Sequence, residues 1–376
     1  MNRKFLFFYL NTGNGHISPA RVLQKAVKEL EPNVEVELVN GFENKNVLGK
    51  ILFERLYRIT SNYFTGAWTL IYDLSRFRAV QSLVAMCVRP TVLRYLKEKI
   101  ASSGATDIVS FHFALTPSIV SAIRELGRDI HLTCVVTDPF TLPKAWFYNK
   151  NVDYLVFSNQ ARDFAINECG MSAEKVRVIP FLLDKKFGRI PDSAEIAALR
   201  EKHGFEQNKR VVLLAGGGDG LPHAKRIVNT FAMRKVDFAV AVVCGRDKTA
   251  QSYMNMLAKM NPHLDLHVYG FVDFMDELIS LSDCAVIKPG ASTIMEVLLK
   301  KKPVIICRYI HGQELGNVEF ALKNHVGFFI RKGADISKKV EELFLDGEKY
   351  AQLCENLGNL AIDTDSSKVA RLVLAK

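Results

Sequence analysis

Twice along the chain, short and nearly continuous apolar runs alternate with longer segments whose apolar residues recur at helical spacing. No other feature constrains the fold as strongly. In the first series, residues 4–10, 34–39, 107–111, 131–137, 154–157 and 176–179 read as strands, and 18–30, 116–126 and 160–168 as helices. A breaker-rich stretch around Gly188 and Pro191 follows. The alternation then restarts through "RVVLLAGGGDG", "DFAVAVVCGR", "LDLHVYGF", "DCAVIKPG" and "KPVIICRY". Strands that are apolar throughout are covered on both faces, as βα crossovers cover a parallel sheet. Two such series predict an α/β chain of two doubly wound domains, and 376 residues exceed one ordinary core. The expected division is 1–190, with a mostly helical insert at 42–100, then 191–355, and a last helix at 356–376 packing back on the first domain. Ligands of open parallel sheets lie beyond the carboxyl ends of the strands, so the expected site is a cleft across which the two domains face.

A hydrophobic content of 48% and a charged content of 24% are those of a folded globular chain and exclude a disordered one. No apolar run approaches the ~20 residues of a membrane span. The opening "MNRKFLFFYL" is too short for a secretion signal, lacks a small-residue cleavage site, and reads as the first core strand. Seven cysteines, odd in number and without C-x-x-C spacing, favour a reducing cytosol and argue against zinc. Four of them (Cys134, Cys244, Cys284 and Cys307) fall in strand-like runs, where a thiol serves as a small hydrophobe.

The net charge of +10 is uneven. Residues 43–99 hold ten Lys or Arg against four Asp or Glu, together with Phe53, Tyr57, Tyr63, Phe64, Trp68, Tyr72 and Phe77. Cations interleaved with large rings suit an anionic membrane surface. The competing reading is a solvated helical face with its aromatics in the core. No nucleic-acid motif accompanies the patch, and nucleic acid is not an expected partner.

Every distinctive cluster follows a predicted strand. "TGNGH" places Gly13 and Gly15 in a strand-to-helix turn whose N–H groups can meet an anion, with His16 beside them. "GGGDG" brings Gly216, Gly217 and Gly218, with no G-K-[ST] to make a triphosphate loop. "KPGASTIMEV" opens a helix at Gly290, Ala291, Ser292 and Thr293, a candidate diphosphate cradle. Thr293 with Glu296 also matches a capping box, which is the competing role for Glu296. "YIHGQELGN" offers Gln313, Glu314 and Asn317, acceptors suited to sugar hydroxyls rather than to a metal. "SFHFALTP" ends a strand in His112 and "VVTDPF" ends one in Asp138. With His16, three titratable groups close three strands of one sheet, where a general base belongs.

The order and spacing of "GNGH", "VVTDPF" with Trp146, "GGGDG", "GFVDFMDELISLSD", "KPGAST" with Glu296, and "GQELGN" resemble those of the family 28 glycosyltransferases. Within that family the resemblance is to the monogalactosyldiacylglycerol synthases and processive diacylglycerol glucosyltransferases, and more distantly to the lipid II-forming N-acetylglucosaminyltransferase. It covers most of the chain and is strongest at 269–317. The resemblance implies a GT-B fold of two Rossmann-like domains, an inverting mechanism, and a UDP-sugar donor held by the C-terminal domain with no obligatory metal or other cofactor. It implies Phe271 near uracil, Gly290–Thr293 at the diphosphate, Glu296 at the ribose, and Gln313 and Glu314 on the donor sugar. His16 falls on the family's glycine-loop histidine, and Asp138 with Trp146 on its segment near the acceptor. Two departures stand out. Ala291 replaces the second glycine of a common "PGG", and His311 stands where relatives often have proline, which bears on donor-sugar choice.

The resulting expectation is glycolipid synthesis by transfer of a hexose from a UDP-sugar to a membrane lipid, diacylglycerol first. The enzyme would be cytoplasmic and peripheral on the inner face of the membrane. His16 leads as the base, followed by Asp138, which would orient it, and His112. Alternatives are N-acetylglucosamine transfer to a polyprenyl-linked acceptor, a GT-B epimerase, or a non-catalytic nucleotide-sugar or lipid binder. A dinucleotide oxidoreductase fits less well, since its fingerprint wants Gly or Ala where Ser18 stands and an acid where Asn40 stands.

Overall fold

The computed structural model describes residues 3–11, 14–42, 74 and 77–375. Gly13 and most of the basic, aromatic-rich stretch, residues 43–73, lie outside them. The chain divides into two compact units. The first is Met1–Leu183 with Ile310–Gly316 and Asp363–Lys376, and the second is Asp184–Tyr309 with Asn317–Ile362.

The first unit runs β1 (Lys4–Tyr9), α1 (Asn14–Leu30), β2 (Glu35–Asn40), α2 (Arg78–Ser103), β3 (Asp107–Ser110), α3 (Thr116–Leu126), β4 (His131–Val135), β5 (Asp153–Val156), α4 (Asn159–Asp163) and β6 (Val176–Val178). All six strands are parallel, in the order β2-β1-β3-β4-β5-β6. The second unit runs α5 (Lys185–Gly188), α6 (Ser193–His203), β7 (Val211–Ala215), α7 (Ala224–Arg234), β8 (Ala239–Val243), α8 (Lys248–Met260), β9 (Leu266–Tyr269) and α9 (Met275–Leu281). It continues with β10 (Cys284–Ile287), α10 (Ala291–Leu299), β11 (Val304–Ile306), α11 (Leu315–Lys323), β12 (Gly327–Phe329), α12 (Gly333–Leu345) and α13 (Gly347–Asn359). Its parallel order is β12-β11-β10-β7-β8-β9. A final helix, α14 (Ser366–Leu374), belongs to the first unit.

Each sheet reverses direction once, and the reversals fix where ligands can sit. From β1 the chain goes to β2 on one side and then to β3 on the other; from β7 it goes to β8 and β9, then back to β10. The crevice beyond the carboxyl ends of such a strand pair is the binding position of a doubly wound sheet. His16 and His112 follow β1 and β3, while Gly216 and Gly290 follow β7 and β10.

The core explains the unbroken apolar strands. Phe5 and Phe7 point into a layer with Ala20, Leu23 and Val27 of α1 and Val369, Ala370 and Val373 of α14. Leu6 and Phe8 point into the opposite layer with Val92, Leu96 and Ile100 of α2 and Ile119 and Ala122 of α3. Arg3 ties β1 to β3 through a two-pronged pair with Asp107 at 2.8 and 2.7 Å, and also donates to the carbonyl of Leu374 in α14. Cys134, Cys244, Cys284 and Cys307 are buried free thiols of the two sheets.

The helix after β1 begins earlier than the sequence predicts. It starts at Asn14 rather than Ser18, so Gly15 and His16 form its first turn instead of a preceding loop. Pro19 therefore lies inside the helix and has no N–H to give the Gly15 carbonyl. Among the described residues no helix is long and apolar enough to cross a membrane.

Candidate functional site

In the first unit, the first turn of α1 carries His16 over the ends of β3 and β4. Its Nδ1 lies 2.9 Å from the carbonyl oxygen of Phe111 and 2.8 Å from Thr137 Oγ1. A carbonyl oxygen can only accept, so Nδ1 carries the ring proton and Nε2 keeps its lone pair. Burial pushes the His16 pKa down to about 4, against the opposing pull of the Phe111 carbonyl. At neutral pH the ring is an uncharged base.

His112, one residue beyond Phe111, is held in the opposite sense. Its Nδ1 accepts from the Ala114 N–H at 3.1 Å, which leaves the proton of the neutral ring on Nε2. Its carbonyl accepts from Ser110 Oγ at 3.2 Å and from Thr116 Oγ1 at 3.4 Å, all three residues being buried. The His16 and His112 ring centroids are 4.5 Å apart. Burial first, and then the nearness of His16, hold His112 well below the usual histidine range. Neither Nε2 has a hydrogen-bond partner among the described residues.

Asp138 is buried in the same unit. Oδ2 accepts from Trp146 Nε1 at 2.8 Å, and Oδ1 accepts from Gln313 Nε2 at 3.1 Å. Burial raises its pKa to about 6 although both hydrogen bonds favour the carboxylate. The orienting role expected of Asp138 falls instead to its neighbour, since Thr137 and not Asp138 meets His16. Gln313 and Glu314, expected on the donor sugar, take other partners here. Gln313 holds Asp138, and Glu314 accepts from the Ile310 N–H at 2.7 Å, closing its own turn.

In the second unit, the turn after β7 packs on itself. A Cβ on Gly216 would lie 2.4 Å from the Gly220 carbonyl oxygen, so that glycine is required by the turn. The Gly218 carbonyl accepts from the Arg246 N–H at 3.0 Å. Gly217 has φ +81° and faces Thr293, whose Oγ1 is 3.9 Å from where its Cβ would be. The loops after β7 and β10 therefore adjoin. Helix α10 is capped by Gly290 with no side-chain bond, and Ala291, Ser292 and Thr293 form its first turn. Their backbone N–H groups have no partner within the helix and point out at its positive end. Asn317 Nδ2 pins this loop through the Pro289 carbonyl at 2.7 Å, while its buried Oδ1 is left without a partner.

Because α10 starts two residues before Thr293, the predicted Thr293–Glu296 capping box does not form. The half-buried Glu296 carboxyl has no hydrogen-bond partner among the described residues. Burial raises it to about 7, Lys186 opposing and Asp184 and Asp276 adding to the rise. Phe271, on the loop after β9, is exposed, with the Arg246 guanidinium 4.9 Å from its ring centroid.

The structure thus gathers His16, His112, Asp138, Trp146 and Gln313 in one unit, and Gly216–Gly218 with Gly290–Thr293 in the other. Sequence reading missed Thr137, Ser110 and Thr116; the only signal for Thr137 was its place beside Asp138 in "VVTDPF". Among the described residues no three His, Cys, Asp or Glu side chains converge as metal ligands would. The second unit offers unpaired N–H donors for an anion, and the first offers a neutral, buried proton acceptor.

Residues 211–357 match the family described as the glycosyltransferase family 28 C-terminal domain, and residues 16–180 match monogalactosyldiacylglycerol (MGDG) synthase. The chain is 25% identical over 361 residues to monogalactosyldiacylglycerol synthase 1 of Arabidopsis thaliana, an alignment spanning 93% of this chain and 66% of that one. It is 25% identical over 381 residues to the processive diacylglycerol beta-glucosyltransferase of Bacillus cytotoxicus, spanning 99% and 94%. Among solved structures, MurG of Acinetobacter baumannii superposes with a TM-score of 0.62 at 12% identity, covering 100% of both chains. The Anabaena protein HepE in complex with UDP-glucose superposes with a TM-score of 0.59 at 15% identity, covering 99% of both. At these identities the superpositions speak to fold, and the fold is GT-B.

Proposed function

We propose that the chain is a family 28 glycosyltransferase, its first unit of the monogalactosyldiacylglycerol synthase type, that moves a hexose from a UDP-sugar to diacylglycerol. The observation that carries the reading is the His16 ring: buried, uncharged, and presenting a free Nε2 beyond the switch point of the first sheet.

In the proposed reaction the acceptor hydroxyl gives its proton to His16 Nε2 as its oxygen bonds to the anomeric carbon. The bond from that carbon to the β-phosphate oxygen breaks, and its electron pair leaves with UDP. Attack opposite the leaving group inverts the anomeric centre. The imidazolium returns its proton to solvent after the product departs. Charge developing on the diphosphate is met by the N–H groups of Ala291–Thr293 at the positive end of α10, a stabilisation that requires no divalent ion. Glu296 offers its unpartnered carboxylate to the ribose hydroxyls, and the exposed Phe271 offers its ring to uracil. Asn317 Oδ1 is a further acceptor for a donor hydroxyl.

Diacylglycerol stays in the bilayer, so the enzyme must come to it. The stretch at 43–99, with its excess of Lys and Arg and its large rings, is proposed as the membrane-facing element, on the cytoplasmic side and against an anionic leaflet. Exposed apolar side chains at Leu74, Phe77 and Met86 lie within it and support the assignment. Incubation with a panel of UDP-sugars and lipid acceptors, with products read by mass spectrometry, tests the reading. Glycosylated diacylglycerol is the expected product. Turnover only on a polyprenyl-linked acceptor, or none on any lipid, would overturn it.

A further inference from the structure

The reaction proposed above requires one base, yet the first unit spends a second buried histidine and a buried hydroxyl network beside it. Ser110 and Thr116, both shut off from solvent, lie 3.1 Å apart at their hydroxyls and converge on the His112 carbonyl. Two residues on, the Ala114 N–H points at the ring and occupies Nδ1. Phe113 stacks on the imidazole, with centroids 4.8 Å apart and planes 25° from parallel. Backbone, ring edge and ring face of His112 are therefore all held. A buried hydrogen-bonded network of this kind fixes a geometry. What it fixes is a single tautomer, with the hydrogen on Nε2.

That tautomer disqualifies His112 as the base, because its only lone pair is already accepting a hydrogen bond. Its neighbour has the reverse assignment: His16 exposes a lone pair on Nε2 and keeps its proton on Nδ1. With centroids 4.5 Å apart, the two rings present one acceptor and one donor side by side at the switch point. Resting on the transferase reading, we infer that His112 is a catalytic hydrogen-bond donor whose Nε2–H binds the attacking oxygen of the acceptor. As that oxygen loses its proton to His16 it gains negative charge, and a preorganised N–H aimed at it acts most strongly in the transition state. A neutral donor also avoids setting two imidazolium charges side by side once His16 has taken the proton.

Two amide substitutions separate this role from a structural one. In His112→Asn the side-chain carbonyl can still accept from the Ala114 N–H, so the turn is kept, but the Nε2 donor is gone. In His112→Gln the longer side chain can carry an N–H donor to the Nε2 position. We expect His112→Asn to lower kcat by about 10²-fold, the usual cost of one such donor, with UDP affinity and thermal stability close to the parent. His112→Gln should recover at least about tenfold of that loss. Neither variant should remove the acid limb of the pH profile, which belongs to His16, whereas His16→Ala should. Parent-like turnover in His112→Asn, or no recovery in His112→Gln despite a parent-like melting temperature, would overturn the inference. The ring nitrogens of histidine-labelled protein, read by long-range proton–nitrogen NMR, report the tautomers without any activity. The expected pattern is Nε2–H at His112 and Nδ1–H at His16, and the reverse at His112 overturns the donor role. Should the protein transfer no sugar to any lipid, the NMR result still decides the tautomer. Nε2–H without lipid turnover then refutes both the transferase reading and the role that rests on it, while leaving the tautomer standing.

Discussion

Replacing Asp138 by asparagine is expected to stabilise the first unit, by an amount that grows with pH, while lowering turnover. The side chain is buried, and burial carries its carboxyl from 3.8 to about 6 in spite of the hydrogen bonds from Trp146 and Gln313. The folded chain thus holds this proton more tightly than the unfolded chain does. The stability of the protonated form is present at about pH 4 and below, and is lost as pH rises through about 6. One pKa unit corresponds to about 1.4 kcal/mol, so the full cost of keeping the carboxylate above about pH 7 is about 3 kcal/mol. About 1 kcal/mol of it already acts at pH ~4.5. Asparagine keeps a carbonyl for the Trp146 N–H and has no charge to bury. Urea unfolding followed by Trp146 emission would measure the difference. The chain has two tryptophans, so Trp68→Phe in both proteins leaves one reporter. The gain of the variant should climb from about 1 kcal/mol at pH ~4.5 to about 3 kcal/mol at pH ~7.5. His16 and His112 titrate in both proteins and cancel in the difference. A gain that is flat with pH, or a variant less stable than its parent at neutral pH, refutes the argument that burial dominates at this site.

His16→Ala should lower turnover by about 10²–10⁴-fold and leave UDP affinity unchanged by calorimetry; a smaller loss removes His16 from the role of base. With its pKa pushed down to about 4, the acid limb of kcat/KM due to His16 should lie near pH ~4 rather than ~6.5. A limb near pH ~6 that disappears in Asp138→Asn would instead report Asp138. Glu296→Ala should weaken UDP binding by about 1–3 kcal/mol, as ribose hydroxyls lose a partner; an unchanged dissociation constant would take Glu296 out of the donor site. The protein should co-sediment with phosphatidylglycerol vesicles, bind neutral vesicles far less, and leave both at high salt. Basic residues near an anionic leaflet contribute about 1 kcal/mol each, within a screening length of about 8 Å. Replacing Arg55, Arg58 and Trp68 together should reduce vesicle binding without changing UDP affinity. Equal binding to both vesicle types would sink the electrostatic account.

Strand positions were legible because a parallel sheet covered on both faces demands unbroken apolar runs, and the residues closing those strands were therefore found as well. Details set by one residue of register were not legible. Thr137 and Asp138 are successive residues just beyond β4, and their side chains take different partners, His16 and Trp146. The titratable one drew the orienting role, and the hydroxyl beside it makes the contact with His16. The same limit hid the start of α10. Thr293 and Glu296 have capping-box spacing, but Gly290 takes the cap and leaves Glu296 free. At the start of α1 the two glycines argued for a loop, yet Gly15 lies in the helix, where the bonds of His16 to Phe111 and Thr137 outweigh a poor local propensity. The partners of Gln313 and Glu314 were illegible for another reason. Their segment follows β11 in sequence but folds with the first unit, and nothing local to "GQELGN" encodes that.

The division of the chain has a consequence for its synthesis. A ribosome that has released residues up to Ile362 has delivered everything the second unit contains, because that unit draws on nothing later. The first unit, begun with β1, is still waiting for α14 to cover α1 and to receive the Arg3 hydrogen bonds. Domains usually mature in the order in which they are translated, but here the later-coded body is finished first. Until α14 arrives, Phe5 and Phe7 lack part of their cover, and the helix that carries His16 lacks its support. A chain stopped short of residue 366 should therefore retain a folded nucleotide-binding half and have no proton acceptor in place. Products arrested before α14 would be silent, and a stop codon placed just ahead of residue 366 would cost as much activity as one placed far upstream.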